Sequence, residues 1–262
     1  IAPAQHPYGG FGSGNAKSLA GDKKDENGNG NIRELLLAFF EENQQFYLVQ
    51  ELIHGHPLTD ELLPGQPWTQ KQVIDLLIDV LGVLDFVHQN GVIHRDIKPA
   101  NLIRRNIDNK LVLIDFGAVK QLRSQLVVNQ NQISSTVAIG TPGYMPAEQG
   151  QGKPRYSSDI YALGILAIQG LIALEPSQIP EDNQTGELKW EHLVNISPVL
   201  QDILTKMVRY NWCHRYKNVG EVLTDLSPLI AGTGLPKTET SEPPPSPLNK
   251  TRRRVLQFLG LA

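Results

Sequence analysis

Two short apolar segments near the amino end of the chain are separated by a polar stretch. Residues 36–40 are leucine, alanine and phenylalanine, and residues 46–50 are mostly aromatic or β-branched. Between them, residues 41–45 are all polar. Because aromatic and β-branched residues favour strands, this pattern predicts an antiparallel β-hairpin with a polar turn.

The clearest periodic pattern begins at a capping motif. Thr69 and Gln72 have the spacing of a capping box, in which each side chain satisfies a backbone N–H group of the other. Apolar residues then recur every three or four positions, which predicts a helix that packs into the core. These residues are Val73, Leu76, Leu77, Val80, Leu81, Leu84 and Val87. Asn90 and Gly91 predict the end of the helix, because both residue types tolerate the left-handed conformation.

Further elements are predicted around a long polar segment. Short apolar runs at 102–103 and 111–114 favour strands, and a longer run at 159–173 favours a buried helix. Residues 118–140 form a polar segment without a predicted element, and long loops of this kind inside compact domains are often functional. Two more helices are expected, near 198–209 and 218–231.

Both ends of the chain have the composition of linkers. Residues 1–31 are rich in Gly, Asn, Ser, Asp and Lys and lack hydrophobic periodicity, which is typical of loops. Residues 232–247 are rich in Pro, Ser, Thr and Glu, which indicates an extended linker. The tail 251–262 places three arginines ahead of an apolar stretch, so attachment of this tail to a membrane is one hypothesis.

The composition of the 262 residues excludes several classes of protein. With 24 basic and 27 acidic residues the net charge is −3, so the basic excess typical of nucleic-acid binders is absent. No apolar run reaches about 20 residues, the length that a membrane-spanning helix needs. The single cysteine, Cys213, excludes a disulfide scaffold and favours a reducing, cytoplasmic environment. We expect it to be a packed thiol rather than a zinc ligand.

The most specific residue pattern follows the predicted long helix. Residues 94–101 read His-Arg-Asp-Ile-Lys-Pro-Ala-Asn, and residues 115–117, after the two short strands, read Asp-Phe-Gly. The order, the spacing and the intervening strand pair match the catalytic loop and the metal-binding triplet of protein kinases. The chain therefore resembles the serine/threonine protein kinase family, in particular its bacterial members of the eukaryotic-like type.

The resemblance implies a role for each polar residue, and the chemistry of phosphoryl transfer explains the residue types. Asp96 would accept the proton of the substrate hydroxyl and orient its oxygen. The ammonium group of Lys98 would neutralise charge on the phosphate. Asn101 and Asp115 would offer the hard oxygen ligands that Mg²⁺ prefers, with ATP as the phosphate donor. Structural roles are implied for His94, Phe116 and Gly117, with His94 packed under Phe116.

Later segments extend the resemblance. Residues 140–148 look like the end of a kinase activation segment, although 146–148 read Pro-Ala-Glu where the family usually has Ala-Pro-Glu. Asp159 stands where a buried helix of the family fastens the backbone of the catalytic loop. Arg215 stands where the family has the partner of Glu148. The resemblance therefore predicts a buried Glu148–Arg215 ion pair, and breaking one partner would cost several kcal/mol.

The resemblance also indicates a substrate class and a mode of control. Lys98, two positions after the predicted base, and Thr141 both follow the serine/threonine pattern, so a protein substrate phosphorylated on Ser or Thr is expected. Arg95 implies control by a phosphate on the activation segment. The candidate acceptors are Ser134, Ser135 and Thr136.

The nucleotide-binding region departs from the family pattern. Glu51 and Ile53 stand where the hinge backbone of the family binds adenine, and Gly9 and Gly12 lie in a segment that resembles the glycine-rich loop. An active kinase also uses a strand lysine and a helix glutamate to position the phosphates. Neither has a credible counterpart between about residues 15 and 30.

These patterns predict an α+β fold of the protein-kinase type, with a truncated β-rich amino-terminal lobe and a mainly helical carboxy-terminal lobe. Residues 1–31 would be a degenerate remnant of the first lobe and 32–55 its hairpin and hinge. Residues 56–231 would form the second lobe, and 232–262 a linker and tail.

Three functions are compatible with these residues. The first is transfer of the ATP γ-phosphate to protein Ser or Thr, in a form that is weak or inactive. The alternative is a pseudokinase that serves as a binding or scaffold module, because the strand lysine and the helix glutamate are missing. A small-molecule phosphotransferase is the third, and Lys98, Thr141 and Glu148 argue against it because they belong to the peptide-substrate pattern.

Overall fold

The computed structural model describes residues 36–42, 45–50, 52–115 and 140–231. The chain divides into two units, Ile1–Ile53 and His54–Ala262. The described residues of the first unit form a β-hairpin, and those of the second form a small sheet and all of the described helices. Each unit is therefore considered by itself.

The hairpin of the first unit consists of two antiparallel strands, β1 (Leu36–Glu42) and β2 (Gln45–Gln50). The register places Phe40 opposite Tyr47. The predicted hairpin is confirmed, but the predicted turn at 41–45 is too long. Pairing continues into the polar residues because a β ladder is made by backbone groups, which polar residues have as well.

A three-stranded antiparallel sheet opens the second unit. Its strands are β3 (Gly55–Pro57), β4 (Leu102–Arg105) and β5 (Leu111–Leu113), with β4 in the centre. Both predicted strands are present, although β4 continues two residues further and β5 ends one residue earlier than predicted. The sequence of β3, Gly-His-Pro, has no strand preference of its own, so this strand exists through its pairing with β4.

Helix α1 (Gln70–Gln89) follows the prediction closely. The Thr69 N–H donates to Gln72 Oε1 (2.9 Å), and the Gln72 N–H donates to Thr69 Oγ1 (3.3 Å), so the capping box is confirmed. All seven residues of the predicted apolar stripe are buried. Asn90 caps the end of the helix, and Gly91 has a positive φ of 78°.

A short helix, α2 (Ala147–Gly150), precedes the most buried helix of the second unit, α3 (Tyr156–Ile172). α3 begins three residues before its predicted start because the Arg155 N–H donates to Ser158 Oγ, which caps the first turn. Fourteen of its seventeen residues are buried. A helix buried on all sides must pair each of its polar side chains within the protein.

Helices α4 (Pro198–Met207) and α5 (Val219–Ala231) complete the core. α1 packs against α3, α5 and β5, and α4 packs against both α3 and α5. Trp68 lies against α3 at Gly170, where the backbone N–H of Trp68 donates to the glycine carbonyl (2.7 Å). A Cβ atom at position 170 would be 2.7 Å from the indole ring, so only glycine admits this contact.

Two expectations about the surface have different outcomes. Cys213 is exposed, so the expectation of a packed thiol is wrong. It lies in the 3₁₀ turn Trp212–His214, none of whose residues is buried. The Cys213 N–H donates to Asn211 Oδ1, which caps the turn. No helix in the described part of the chain is long and apolar enough to cross a membrane. Membrane attachment of the tail 251–262 stays a prediction, because the tail lies outside the described residues.

Candidate active site

The catalytic loop, residues 94–101, is fastened to the core by Asp159. This buried carboxylate accepts hydrogen bonds from the backbone N–H groups of His94 and Arg95, both at 2.8 Å. The ring of His88, in α1, donates from Nε2 to Asp159 Oδ2 at 2.8 Å. Because Asp159 lies in the first turn of α3, the loop is tied to the most buried helix of the unit. The contact that the sequence predicts for Asp159 is present.

The backbone of Arg95 is held in a left-handed conformation, with φ of 70°. This conformation costs free energy for any residue other than glycine, and it persists only where neighbours enforce it. Its N–H group is held by Asp159, and its carbonyl accepts a hydrogen bond of 2.6 Å from Gln149 Nε2. The strained residue directly precedes the predicted base, Asp96.

The carboxylate of Asp96 is buried and lies at the centre of a polar network. Thr141 Oγ1 donates to Asp96 Oδ1 at 2.7 Å, and Asn101 Nδ2 donates to Asp96 Oδ2 at 3.1 Å. Lys98 Nζ lies 3.1 Å from Asp96 Oδ2 and donates to Thr141 Oγ1 at 2.8 Å. Three predicted site residues, of which Thr141 is 45 positions from Asp96, therefore meet around its carboxylate.

His94 ties the catalytic loop to the residues that precede Asp115. Its buried ring donates from Nε2 to the carbonyl of Ile114 (3.0 Å), and its Nδ1 accepts from the Asp96 N–H (3.3 Å). Burial lowers the pKa of His94 below its usual 6.5, so the ring is neutral at pH 7 and cannot act as a charged acid there. Its predicted packing under Phe116 lies outside the described residues.

The two predicted metal ligands are linked through the backbone. The Ile114 N–H donates to the carbonyl of Asn101 at 2.9 Å, which joins the end of the catalytic loop to the residue before Asp115. The Asn101 side-chain nitrogen is used by Asp96, so its amide oxygen is the atom that can face a cation. One amide oxygen and one carboxylate fit a divalent cation that takes its remaining ligands from phosphates and water. Among the described residues there is no group of three or more His, Cys, Asp or Glu side chains that could hold a metal ion by itself.

The predicted ion pair between Glu148 and Arg215 is confirmed. The two guanidinium Nη atoms lie 2.7 and 3.2 Å from the two carboxylate oxygens of Glu148. Ser158 Oγ donates to the same carboxylate at 2.8 Å. Arg215 also donates to the carbonyls of Arg209 (2.6 Å) and Tyr210 (2.9 Å). Its side chain is fully buried, and these bonds satisfy the charge that burial would otherwise leave unpaired.

Several predicted site residues cannot be placed in this geometry. Gly9, Gly12, Glu51, Phe116 and Gly117 lie outside the described residues, as do the candidate acceptors Ser134, Ser135 and Thr136. Ile53 is half-buried and belongs to the first unit, so its contact with adenine stays a prediction. Conversely, His88 and Gln149 contact the catalytic loop or its anchor although no sequence motif singles them out.

Comparison with known proteins agrees with this geometry. The model of the protein kinase domain family matches residues 30–224. The serine/threonine-protein kinase PknA of Nostoc sp. is 42% identical over 192 residues, which cover 73% of this chain and 34% of PknA. Serine/threonine-protein kinase B of Synechocystis sp. is 43% identical over 211 residues, which cover 79% of this chain and 37% of that kinase. The chain thus spans little more than a third of the length of these curated relatives.

A solved structure supports the same fold. The kinase domain of PknI from Mycobacterium tuberculosis matches with a TM-score of 0.55 at 20% identity, covering 76% of this chain and 72% of that domain. At this identity the likeness concerns the fold alone. Together with the family match and the cyanobacterial relatives, it confirms the α+β kinase-like fold. The chain belongs to the protein kinase domain family, among the bacterial serine/threonine kinases of the eukaryotic-like type.

Proposed function

We propose that the protein transfers the γ-phosphate of ATP to a serine or threonine hydroxyl of a protein substrate. The observation that carries this proposal is the network in which Asp96 is held by Thr141, Lys98 and Asn101. A buried carboxylate with fixed orientation is what in-line attack by a hydroxyl oxygen requires.

The residues of this network divide the work of the reaction. Asp96 takes the proton of the substrate hydroxyl while the hydroxyl oxygen forms a bond to the γ-phosphorus of ATP. The bond between the γ-phosphorus and the oxygen that bridges it to the β-phosphorus breaks, and ADP leaves. Lys98, at 24% exposure of its side chain, can reach charge on the transferred phosphoryl group from its place beside Asp96. Thr141 fixes one oxygen of the carboxylate and accepts from Lys98, so it orients both groups.

The nucleotide is proposed to bind with Mg²⁺ at Asn101 and Asp115. The family implies ATP and a divalent cation, and the oxygen donors of these two residues are of the hard type that Mg²⁺ prefers. When bound, the nucleotide supplies the phosphoryl group, and the cation neutralises its charge. The predicted contacts of Glu51 and Ile53 with adenine, and of Gly9 and Gly12 with the phosphates, are part of this proposal.

Arg95 supports control by phosphorylation. Its Nε atom is buried, and among the described residues no side-chain or backbone acceptor lies within hydrogen-bond distance of it. A phosphate on the activation segment would supply strong acceptor oxygens for this guanidinium. We propose Ser134, Ser135 or Thr136 as the residue that carries the phosphate.

The pseudokinase hypothesis rests on the absence of credible counterparts to the strand lysine and the helix glutamate of the family between about residues 15 and 30. The comparisons do not favour it, because the curated relatives over most of this chain are named as serine/threonine-protein kinases. The network around Asp96 also argues against it, since a scaffold needs no oriented carboxylate beside an ammonium group.

Binding and transfer can be tested separately. We expect Mg²⁺ and ATP together to raise the melting temperature of the wild type, and Asp115→Asn to remove the shift, because the amide weakens cation binding. Radiolabel from [γ-³²P]ATP should then enter a generic basic protein with the wild type but not with Asp96→Asn. A shift without label would support the pseudokinase, and the absence of both would overturn the proposed function.

A further inference from the structure

The peptide group between Arg95 and Asp96 is held at both of its polar atoms. Its carbonyl, from Arg95, accepts from Gln149 Nε2 at 2.6 Å. Its N–H, from Asp96, donates to His94 Nδ1 at 3.3 Å. Because this peptide follows a residue with positive φ and leads directly to the Asp96 Cα atom, its orientation sets the direction of the Asp96 side chain.

Gln149 is well placed to impose this orientation. It is 4% exposed and lies in α2, directly after Glu148, whose ion pair with Arg215 fixes the helix to the core. The backbone from which Gln149 reaches the catalytic loop is therefore anchored to the core. The Gln149 side chain is buried and its bond to the Arg95 carbonyl is partly buried, so this bond is worth more than the same bond in water.

The space for the Gln149 amide depends on Gly140. A Cβ atom at position 140 would lie 2.6 Å from Gln149 Nε2 and 2.7 Å from Met145 Sδ. Gly140 directly precedes Thr141, which donates to Asp96 Oδ1. The Gln149 side chain thus lies against two residues that adjoin the network around Asp96. One is Arg95, which precedes Asp96, and the other is Gly140, which precedes Thr141.

We propose that Gln149 is a positioning residue, which holds the Arg95–Asp96 peptide and thereby sets the direction of the Asp96 carboxylate. It does so only when Gly140 is packed against the side-chain amide of Gln149. Through this contact the end of the activation segment sets the geometry of the catalytic loop. The consequence for phosphate transfer rests on the proposed function, whereas the restraint on the backbone does not.

The restraint can be measured without nucleotide. Gln149→Met keeps the length of the side chain and removes the donor, and Gln151→Met is the matched control, at an exposed glutamine at the end of the same helix. We expect hydrogen exchange at the Asp96 amide, followed by NMR, to be up to about tenfold faster in Gln149→Met and unchanged in Gln151→Met. An unchanged rate in Gln149→Met would overturn the proposal.

Steady-state kinetics give a second test, because a residue with only a structural role would not lower kcat while leaving KM unchanged. With an active wild type, Gln149→Met should lower kcat by about tenfold and leave KM for ATP unchanged, because only the orientation of the base is lost. A matching rise in KM, with kcat unchanged, would overturn the positioning role. If the wild type transfers no phosphate, the proposed function falls, and the exchange rate at Asp96 alone decides this proposal.

A double-variant cycle tests the contact with Gly140. Gly140→Ala should displace the Gln149 amide and accelerate exchange at Asp96, and adding Gln149→Met should then have little further effect. Gly143→Ala is the control, because Gly143 also has positive φ but would contact Pro176 instead. Full additivity of Gly140→Ala and Gln149→Met would overturn the proposed coupling. If Gln149→Met fails to fold, the comparison of Gly140→Ala with Gly143→Ala still tests the contact, and equal exchange rates at Asp96 in these two variants would overturn it.

Discussion

Arg215 and Glu148, which are 67 residues apart in the sequence, form a buried two-point ion pair. It joins α2, at the end of the activation segment, to the turn that precedes α5. The carboxylate is shared with Ser158 at the start of α3, so three segments of the chain meet at one charge pair. The pair therefore holds α2 in place, and with it Gln149, which follows Glu148 in this helix.

Removing one partner of this pair should destabilise the protein strongly. We expect Glu148→Gln to lower the free energy of unfolding by about 3–5 kcal/mol, because it leaves the guanidinium of Arg215 buried without its counter-charge. Urea denaturation of both proteins measures the difference.

Two controls accompany this measurement. Asp75→Asn removes the exposed Lys71–Asp75 pair and should cost less than about 1 kcal/mol. The double variant Glu148→Gln with Arg215→Met should recover part of the loss, since no charge is then left unpaired. Equal, small effects of Glu148→Gln and Asp75→Asn would contradict the buried pair.

Thr141 should matter through its hydroxyl. Thr141→Val keeps the shape of the side chain and removes the bonds to Asp96 and Lys98, so we expect kcat to fall about 10- to 100-fold. Thr141→Ser retains the hydroxyl and should stay within a few-fold of the wild type. Steady-state kinetics with a peptide substrate provide the comparison, and equal rates for the two variants would show that the hydroxyl has no part in the reaction.

His94 should make stability depend on pH. Since burial lowers its pKa in the folded state, the unfolded chain binds more protons below pH 6.5, and stability is lost as the pH falls through that value. The contribution of one such group approaches about 1.4 kcal/mol per pH unit. His94→Phe should be less stable at pH 7.5 because the bond to Ile114 is lost.

The slope is the decisive quantity for His94. Between pH 7.5 and 5.5 the free energy of unfolding should fall less steeply in His94→Phe than in the wild type, since the other histidines are common to both. Parallel curves would mean that His94 titrates alike in the folded and unfolded states.

The capping box of α1 should have a measurable effect on stability. Thr69→Ala removes the acceptor of the Gln72 N–H and should cost about 1 kcal/mol. Thr69→Ser keeps the hydroxyl and should cost little. Thermal unfolding, monitored by circular dichroism, compares the two variants. A melting temperature of Thr69→Ala equal to that of the wild type would show that the first turn needs no cap.

The sequence predicts the elements whose own residues determine them. α1 has both a capping box and a regular apolar stripe, so its bounds could be located from the pattern. β3 could not, because its three residues form a strand only through pairing with β4, which comes 45 residues or more later in the chain. The exposure of Cys213 could not be predicted either, because it lies in a short 3₁₀ turn with no buried residue, and the placement of such a turn depends on tertiary packing.

The candidate site shows the same division. The contacts of Asp159 and Arg215 could be predicted, and Asp96 could be proposed as the base, because the residues around them resemble segments of the kinase family. Gln149 and His88 could not, because a side chain that bonds a backbone carbonyl or a buried carboxylate needs only a donor at the right point in space, and many residue types provide one. The identity of such residues depends on tertiary contacts that no local pattern encodes.

The anchoring of the catalytic loop by Asp159 has a consequence for the order of events during synthesis. The N–H of Arg95 receives its acceptor from a residue 64 positions later, and α3 must be packed before that acceptor is held in place. Contacts so distant in sequence form late, because the chain between them must first be ordered. In a nascent chain whose catalytic loop has left the ribosome before α3, the proposed catalytic residues are therefore present without their geometry. Because Asp159 comes so late in the sequence, the proposed active site is not assembled until most of the domain has been synthesised.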